Sequence, residues 1–142
     1  MTILLIEDDY RLADLIQFKL SDYNIIIGDS LAAAKKILSS ISPTLLLVDL
    51  NLPDSRGLQT LVSLKSYNIP KIVVSGSLDE EMCRALDLGA TDYICKGYNV
   101  DDMVARIRFN LAKYRTRPRF SAEIFKEVKA HFSAEMVMAI AN

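Results

Sequence analysis

The sequence predicts an α/β protein with a doubly wound (βα)5 fold, in which helices cover both faces of a five-stranded parallel sheet. Five short runs rich in Ile, Leu and Val alternate with longer segments whose apolar residues recur every three or four positions. The short runs lack the polar alternation of half-exposed strands, which is typical of strands buried on both faces. Strands and helices that alternate in this way form parallel sheets with right-handed crossovers, and a common strand order is 2-1-3-4-5.

The five predicted strands each have four or five residues, which suits strands better than buried helices. They are residues 3–6 (ILLI), 24–28 (NIIIG), 45–48 (LLLV), 71–75 (KIVVS) and 92–95 (DYIC).

The first three predicted helices follow the first three strands. The helix over 10–22 has an apolar stripe made of Leu12, Leu15, Ile16 and Leu20. Ser30 is the predicted N-cap of the second helix, LAAAKKIL. Apolar residues at three- and four-residue spacing predict a third helix over 57–66.

The last two predicted helices have clear end signals. Ser77 and Glu80 form a capping box at the start of the fourth helix, and Gly89 is its predicted C-terminal glycine. Asn99 is the predicted N-cap of the fifth helix. The apolar residues of that helix are Met103, Val104, Ile107 and Leu111.

The C-terminal segment departs from this pattern. Pro118 interrupts it, and the residues after it predict one helix, or two short ones divided near Ser133. A segment of about 20 residues cannot form its own core. We therefore expect a domain over 1–115 and an extension over 116–142 that docks, dimerises or begins an effector domain missing from this chain. We expect nucleic-acid binding only in that last case, because the extension is too short for a complete DNA-binding domain.

Composition excludes several classes of protein. The 142 residues are 51% hydrophobic and 25% charged, with a net charge of −1, so a single globular domain without a basic field for nucleic acid is expected. No apolar run reaches the roughly 18 residues of a membrane span, and the first residues do not resemble a signal peptide, which predicts a cytoplasmic protein. Cys83 and Cys95 are expected to be reduced and buried. His131, the single histidine, is expected on a helix surface.

Acidic residues follow two predicted strands that are neighbours in the 2-1-3-4-5 order. Glu7 and Asp8 follow the first strand, and Asp49 follows the third. The carboxyl ends of neighbouring parallel strands border the ligand crevice of such sheets, so we expect these carboxylates to converge. Two carboxylates about 4 Å apart repel by roughly 4 kcal/mol at an effective dielectric of 20. A proton shared between the acids, a cation, or both must offset this repulsion, and a divalent cation with a preference for oxygen ligands, such as Mg²⁺, fits this role.

Ser75 ends the fourth strand and Lys96 follows the fifth, so both lie at the same edge of the sheet. A hydroxyl and an ammonium beside clustered acids suit a phosphoryl group carried on a carboxylate. Each residue alone has an ordinary explanation, such as a helix cap, a turn residue or a surface lysine. Their joint placement at one edge favours a functional site.

The motifs ILLIEDD, LLLVDLNLPDSRG, VVSGS and GATDYICKG, in this order, resemble the receiver domain of two-component response regulators over about residues 1–115. The resemblance implies a flavodoxin-like fold that accepts a phosphoryl group on Asp49 from a histidine kinase or phosphotransfer protein. It implies a Mg²⁺ site made by Glu7, Asp8, Asp49 and the backbone carbonyl of Asn51. Such a domain catalyses its own phosphorylation and dephosphorylation and acts as a signalling switch.

The resemblance also implies roles for other residues. Ser75 and Lys96 would bond the phosphoryl group, Ser75 and Tyr93 would form the conformational switch, and Asn51 and Ser77 would tune dephosphorylation. A packing role is the ordinary alternative for Tyr93. Homodimerisation would use the face of the fourth helix, fifth strand and fifth helix, or the C-terminal helix.

Two positions depart from the family pattern. Lys96 is followed by Gly97 instead of proline, for which we predict a trans peptide bond and an altered loop. Gly76 replaces the usual alanine after Ser75 and should loosen that loop. The Lys96-Gly97 departure alone favours an alternative function, a non-phosphorylated pseudo-receiver that binds proteins. An aspartyl-phosphate hydrolase fits less well, because Asn51 stands where such enzymes have a second acid and the chain has no cap domain.

Overall fold

A five-stranded parallel sheet forms the centre of the fold. The computed structural model describes the backbone of residues 1–76, 79–96 and 99–116, and their side chains except those of 79, 80 and 114–116. The elements are β1 (Thr2–Ile6), α1 (Tyr10–Lys19), β2 (Asn24–Gly28), α2 (Leu31–Leu38), β3 (Leu45–Val48), β4 (Asn51–Leu52), β5 (Ser55–Arg56), α3 (Gln59–Leu64), β6 (Lys71–Ser75), α4 (Asp79–Asp87), β7 (Asp92–Cys95) and α5 (Val100–Thr116).

The strand order of the main sheet is β2-β1-β3-β6-β7, and all its pairs are parallel. This is the predicted order 2-1-3-4-5, because the short strands β4 and β5 pair only with each other. That antiparallel hairpin lies between β3 and α3 and was not predicted from the sequence.

The central strand is buried on both faces, as its uninterrupted apolar run predicts. All four residues of β3 are fully buried. Leu46 and Val48 belong to the core cluster that includes Ala34 of α2 and Leu61 of α3. Leu45 and Leu47 alternate with them and are equally buried, so both faces of the strand are covered.

Three predicted capping residues, Ser30, Gly89 and Asn99, are confirmed. The Ser30 hydroxyl accepts a hydrogen bond from the Ala33 amide (3.0 Å), and the Asn99 side chain accepts one from the Asp102 amide (2.8 Å). Gly89 has a φ of +97°, and its amide and that of the next residue donate to carbonyls of the last turn of α4. This is a Schellman C-cap, for which glycine has the lowest conformational cost.

Three details of the prediction are wrong. Helix α1 ends at Lys19 and α3 covers only Gln59–Leu64, so both are shorter than predicted. Leu15 is exposed, because the buried stripe of α1 runs through Ala13, Ile16 and Leu20 instead. Cys83 is exposed and Cys95 half-buried, although both are free thiols as expected. Sequence spacing identifies an apolar stripe, but its exact rotation depends on how the helix lies on the sheet.

The chain divides into two compact units, Met1–Arg106 and Ile107–Asn142. The predicted C-terminal helix and His131 lie outside the described residues, as do Ser77 and Gly97. In the part of the chain that the structure describes, no helix has both the length and the apolar character needed to span a bilayer.

Candidate functional site

Backbone hydrogen bonds fix the positions of three charged residues at the carboxyl edge of the sheet. Each of these residues comes one position after its strand and still donates to a neighbouring strand. The bonds are Glu7 N to Gly28 O (3.0 Å), Asp49 N to Ile6 O (2.9 Å) and Lys96 N to Ser75 O (2.9 Å). The side chains therefore project from a rigid part of the fold.

Lys96 joins the two buried carboxylates. Its Nζ atom lies 2.7 Å from Glu7 Oε1 and 3.0 Å from Asp49 Oδ2. The second oxygen of each carboxylate accepts a backbone amide: Glu7 Oε2 from Asp8 N (3.1 Å) and Asp49 Oδ1 from Asn51 N (3.0 Å). The ammonium and these amides orient both acids, and every carboxylate oxygen keeps further acceptor capacity.

Burial strongly affects the protonation of this group. Glu7 and Asp49 are only 2% and 4% exposed. Burial and the hydrogen bond with Asp49 raise the pKa of Glu7 to about 8, against the opposing effect of Lys96. Burial by itself lowers the pKa of Lys96, but its bonds to Glu7 and Asp49 outweigh this effect, and the net pKa is raised. The site therefore favours a bound proton or another cation beside its acids.

The acidic residues fit a divalent metal ion. Glu7, Asp8 and Asp49 each offer a carboxylate oxygen, and these atoms lie within 4.8 Å of one another. Three ionised carboxylates and the Lys96 ammonium carry a formal charge of −2, which one divalent cation neutralises. Oxygen donors of this kind are those that Mg²⁺ and Mn²⁺ prefer. Asp8 is exposed, so the group opens to solvent on its side.

The three acids after β1 have separate roles. Glu7 and Asp8 lie in the acidic group, whereas Asp9 is the N-cap of α1. Asp9 Oδ1 accepts from the amides of Arg11 (3.1 Å) and Leu12 (3.3 Å). Helix capping, the ordinary explanation for such a run of acids, thus applies to its last member only.

Two other predicted residues lie deep in the sheet. Ser75 ends β6, is fully buried, and pairs in register with Cys95 of β7. Tyr93 is 4% exposed and belongs to the core cluster, and its hydroxyl has no hydrogen-bond partner among the described residues. A tyrosine that has only a packing role usually keeps its hydroxyl in contact with water. Tyr93 is more deeply buried than that.

The hairpin that follows Asp49 and the role of Asp54 at its turn were not predicted from the sequence. Asp54 Oδ1 accepts from Leu31 N (2.8 Å), and its Oδ2 accepts from Ala32 N (2.9 Å). These amides belong to the first turn of α2. The Pro53-Asp54 pair is a recognisable turn signal, but nothing in it indicates a partner more than 20 residues earlier in the chain.

Comparison with known protein families gives a consistent result. The model of the family described as "Response regulator receiver domain" matches residues 3–108. The chain is 38% identical over 110 residues to the transcriptional regulatory protein KdpE of Staphylococcus aureus, which covers 75% of this chain and 48% of that protein. The chain thus spans about half the length of this curated relative.

Solved structures show the same fold. The Mn²⁺-bound response regulator Rcp1 superposes with a TM-score of 0.65 at 28% identity, over 75% of this chain and 88% of that one. The BeF3-activated N-terminal receiver domain of Klebsiella pneumoniae RstA superposes with a TM-score of 0.69 at 26% identity, over 77% of this chain and 97% of that one.

Proposed function

The chain belongs to the response regulator receiver domain family, and we propose that it accepts a phosphoryl group on Asp49 from a phosphohistidine of a histidine kinase or phosphotransfer protein. The observation that carries this proposal is the buried Asp49 carboxylate, which lies 3.0 Å from the Lys96 ammonium within a group of three acids. An RstA receiver activated by BeF3 and a Mn²⁺-bound Rcp1 support it by similarity.

The proposed reaction is a transfer between two nucleophiles. An Asp49 carboxylate oxygen attacks phosphorus as the bond from phosphorus to the donor imidazole nitrogen breaks, and that nitrogen leaves with its electron pair. The product is an acyl phosphate on Asp49. The Asn51 amide orients the attacking carboxylate through Oδ1, and Lys96 provides positive charge beside Oδ2, where the phosphoryl oxygens accumulate negative charge.

The metal would be held by Glu7, Asp8, Asp49 and the backbone carbonyl of Asn51. When bound, Mg²⁺ supplies further neutralisation of the phosphoryl oxygens. In the same proposal Ser75, at the end of β6, donates a hydrogen bond to the phosphoryl group. Tyr93 moves when Ser75 moves. The Tyr93 hydroxyl has no hydrogen-bond partner within the described part of the chain, which supports a second arrangement in which it gains one. Asn51 and Ser77 would influence dephosphorylation.

The test is reaction with acetyl phosphate and Mg²⁺, with the product measured by intact-protein mass spectrometry. Wild-type protein should gain one phosphoryl group, and Asp49→Asn should gain none. Asp14→Asn is the matched control, because Asp14 is an exposed aspartate in α1 outside the site. Omission of Mg²⁺ should abolish the gain.

A parallel experiment uses beryllium fluoride with Mg²⁺ and records amide chemical shifts. We expect saturable changes around Asp8, Asp49 and Lys96 in the wild type and no beryllofluoride response in Asp49→Asn. Wild-type protein that neither gains a phosphoryl group nor responds to beryllofluoride would contradict the proposal. It would favour the alternative, a pseudo-receiver that binds proteins without phosphorylation.

We further propose that residues 1–115 form the receiver and that 116–142 serve as a linker and extension. The family match over 3–108 supports the first part. The output would pass to a partner, to a second copy, or to an effector domain. The name of the S. aureus relative, a transcriptional regulatory protein, supports an output at the level of transcription.

A further inference from the structure

The hairpin β4–β5 begins two residues after the proposed phosphoacceptor and has little stability of its own. It contains two residue pairs, Asn51 with Arg56 and Leu52 with Ser55. Isolated two-stranded hairpins are marginally stable even when they are longer. Its first residue, Asn51, donates the amide that orients Asp49 (3.0 Å), so its placement bears directly on the site.

Two sets of polar contacts hold this hairpin. The buried Thr60 hydroxyl donates to the Leu50 carbonyl (3.1 Å), just before β4, and lies 2.7 Å from the hydroxyl of Ser55, the first residue of β5. Because the single Thr60 proton is used by that carbonyl, Ser55 must donate in the second bond. At its tip, the Asp54 carboxylate accepts from two backbone amides of α2.

The Asp54 contacts also complete the N-terminus of α2. The amides of Leu31 and Ala32 donate to Asp54, while Ser30 accepts from the Ala33 amide. A helix begins with four amides that have no partner within the helix, so these contacts satisfy most of them. A carboxylate at this end is also favoured by the helix dipole. Backbone hydrogen bonds, first from Ala32 and then from Leu31, lower the pKa of Asp54, so the carboxylate stays ionised at neutral pH.

We propose that Asp54 is a positioning residue for the phosphoacceptor: it holds the tip of the β4–β5 hairpin against α2 and thereby fixes the Asn51 backbone that orients Asp49. Among the residues that the structure describes, no hydrogen bond or ion pair joins Asp54 to the acidic group itself. It acts through the hairpin, and its effect on phosphorylation rests on the proposed function. The side chain is exposed, so its replacement leaves the core intact.

The variants Asp54→Asn and Asp54→Ala remove one or both acceptor oxygens, and Ser30→Ala is the matched control. Ser30→Ala removes a cap from the same helix but leaves the hairpin untouched. Loss of either cap should weaken α2 by a similar amount. The two kinds of variant therefore separate the stability of α2 from the position of the hairpin.

The first measurement is amide hydrogen exchange of metal-free protein, which does not depend on phosphorylation. In the Asp54 variants the Leu31, Ala32 and Asn51 amides should exchange roughly tenfold faster, the change that follows from loss of one typical hydrogen bond. In Ser30→Ala the Asn51 amide should exchange at the wild-type rate. An unchanged Asn51 amide in both Asp54 variants, or an equal change in Ser30→Ala, would overturn the proposal.

The second measurement is the rate of phosphorylation by acetyl phosphate as a function of Mg²⁺ concentration. Misplacement of a reacting group should slow the reaction of the Asp54 variants at saturating Mg²⁺ roughly tenfold, with Ser30→Ala close to wild type. If the wild type and Asp54→Ala react at the same rate, the proposed role of Asp54 is contradicted, but the proposed function is not. Wild-type protein that takes up no phosphoryl group would contradict the proposed function and remove the premise of this inference with it.

Discussion

Replacement of Glu7 by glutamine should stabilise the metal-free protein. In the folded protein the pKa of Glu7 is raised from its ordinary value of 4.5 to about 8, first by burial and then by the bond with Asp49. Below the ordinary value Glu7 is protonated in both the folded and the unfolded states. Between the two values the unfolded state releases the proton while the folded state keeps it, so stability falls as the pH rises.

The size of the effect follows from the gap between the two pKa values. Each pH unit between them lowers the free energy of unfolding by about 1.4 kcal/mol, which gives a loss of about 3 kcal/mol at pH 7 and about 5 kcal/mol above pH 8. Glu7→Gln avoids this loss because glutamine does not ionise. Glutamine keeps one acceptor oxygen, so the variant loses either the Asp8 amide or the Lys96 ammonium as a donor, which costs about 1 kcal/mol. The net gain is about 2 kcal/mol at pH 7 and about 4 kcal/mol above pH 8.

The assay is urea denaturation in EDTA at several pH values from about 5 to about 9, followed by circular dichroism. The difference between Glu7→Gln and the wild type should grow with pH and level off above about pH 8. Added Mg²⁺ should stabilise the wild type and leave the variant almost unchanged, since the variant lacks one of the three carboxylates. Asp14→Asn should match the wild type both in the pH dependence of its stability and in its response to Mg²⁺. A Glu7→Gln protein that is less stable than the wild type at high pH in EDTA would refute this reasoning.

Three further predictions concern the same unit of the fold. Mg²⁺ affinity should fall by up to about tenfold for each pH unit below about 8, because a proton on Glu7 competes with the metal. Isothermal titration calorimetry in two buffers should detect the proton that metal binding releases. A Mg²⁺ affinity that does not change with pH would contradict this prediction. Lys96→Met keeps the length of the side chain but removes the positive charge 3.0 Å from Asp49. This variant should slow phosphorylation by acetyl phosphate roughly 10²-fold, measured in a mass-spectrometric time course. A rate near that of the wild type would show that the ammonium is dispensable. Gly89→Ala places a side chain at a φ of +97° and should lower the free energy of unfolding by about 1 kcal/mol or more, whereas Gly76→Ala, at an exposed glycine without a positive φ, should have a smaller effect.

Much of the local structure can be predicted from the sequence, because its signals lie within a few residues of one another. The uninterrupted apolar runs identify all five strands of the main sheet. The caps at Ser30, Gly89 and Asn99 depend on contacts within one helical turn and are also correct. The strand order follows from the general behaviour of alternating strands and helices, and it places Glu7 and Asp49 on neighbouring strands.

Features that depend on distant contacts could not be predicted in this way. The exposure of Leu15 depends on how α1 is rotated against the sheet, and the partner of Asp54 lies 22 or 23 residues away. The hairpin between β3 and α3 is too short to produce a periodic signal.

The sequence by itself determined which residues reach the carboxyl edge of the sheet, because each charged residue directly follows an apolar run whose length and pattern specify a buried strand. Only the tertiary structure decided how these residues interact. It brings the Lys96 ammonium to 2.7 Å from Glu7 and buries that carboxylate almost completely. Desolvation and charge coupling act through space and over a few ångströms, so the raised pKa of Glu7 exists only once the strands have paired.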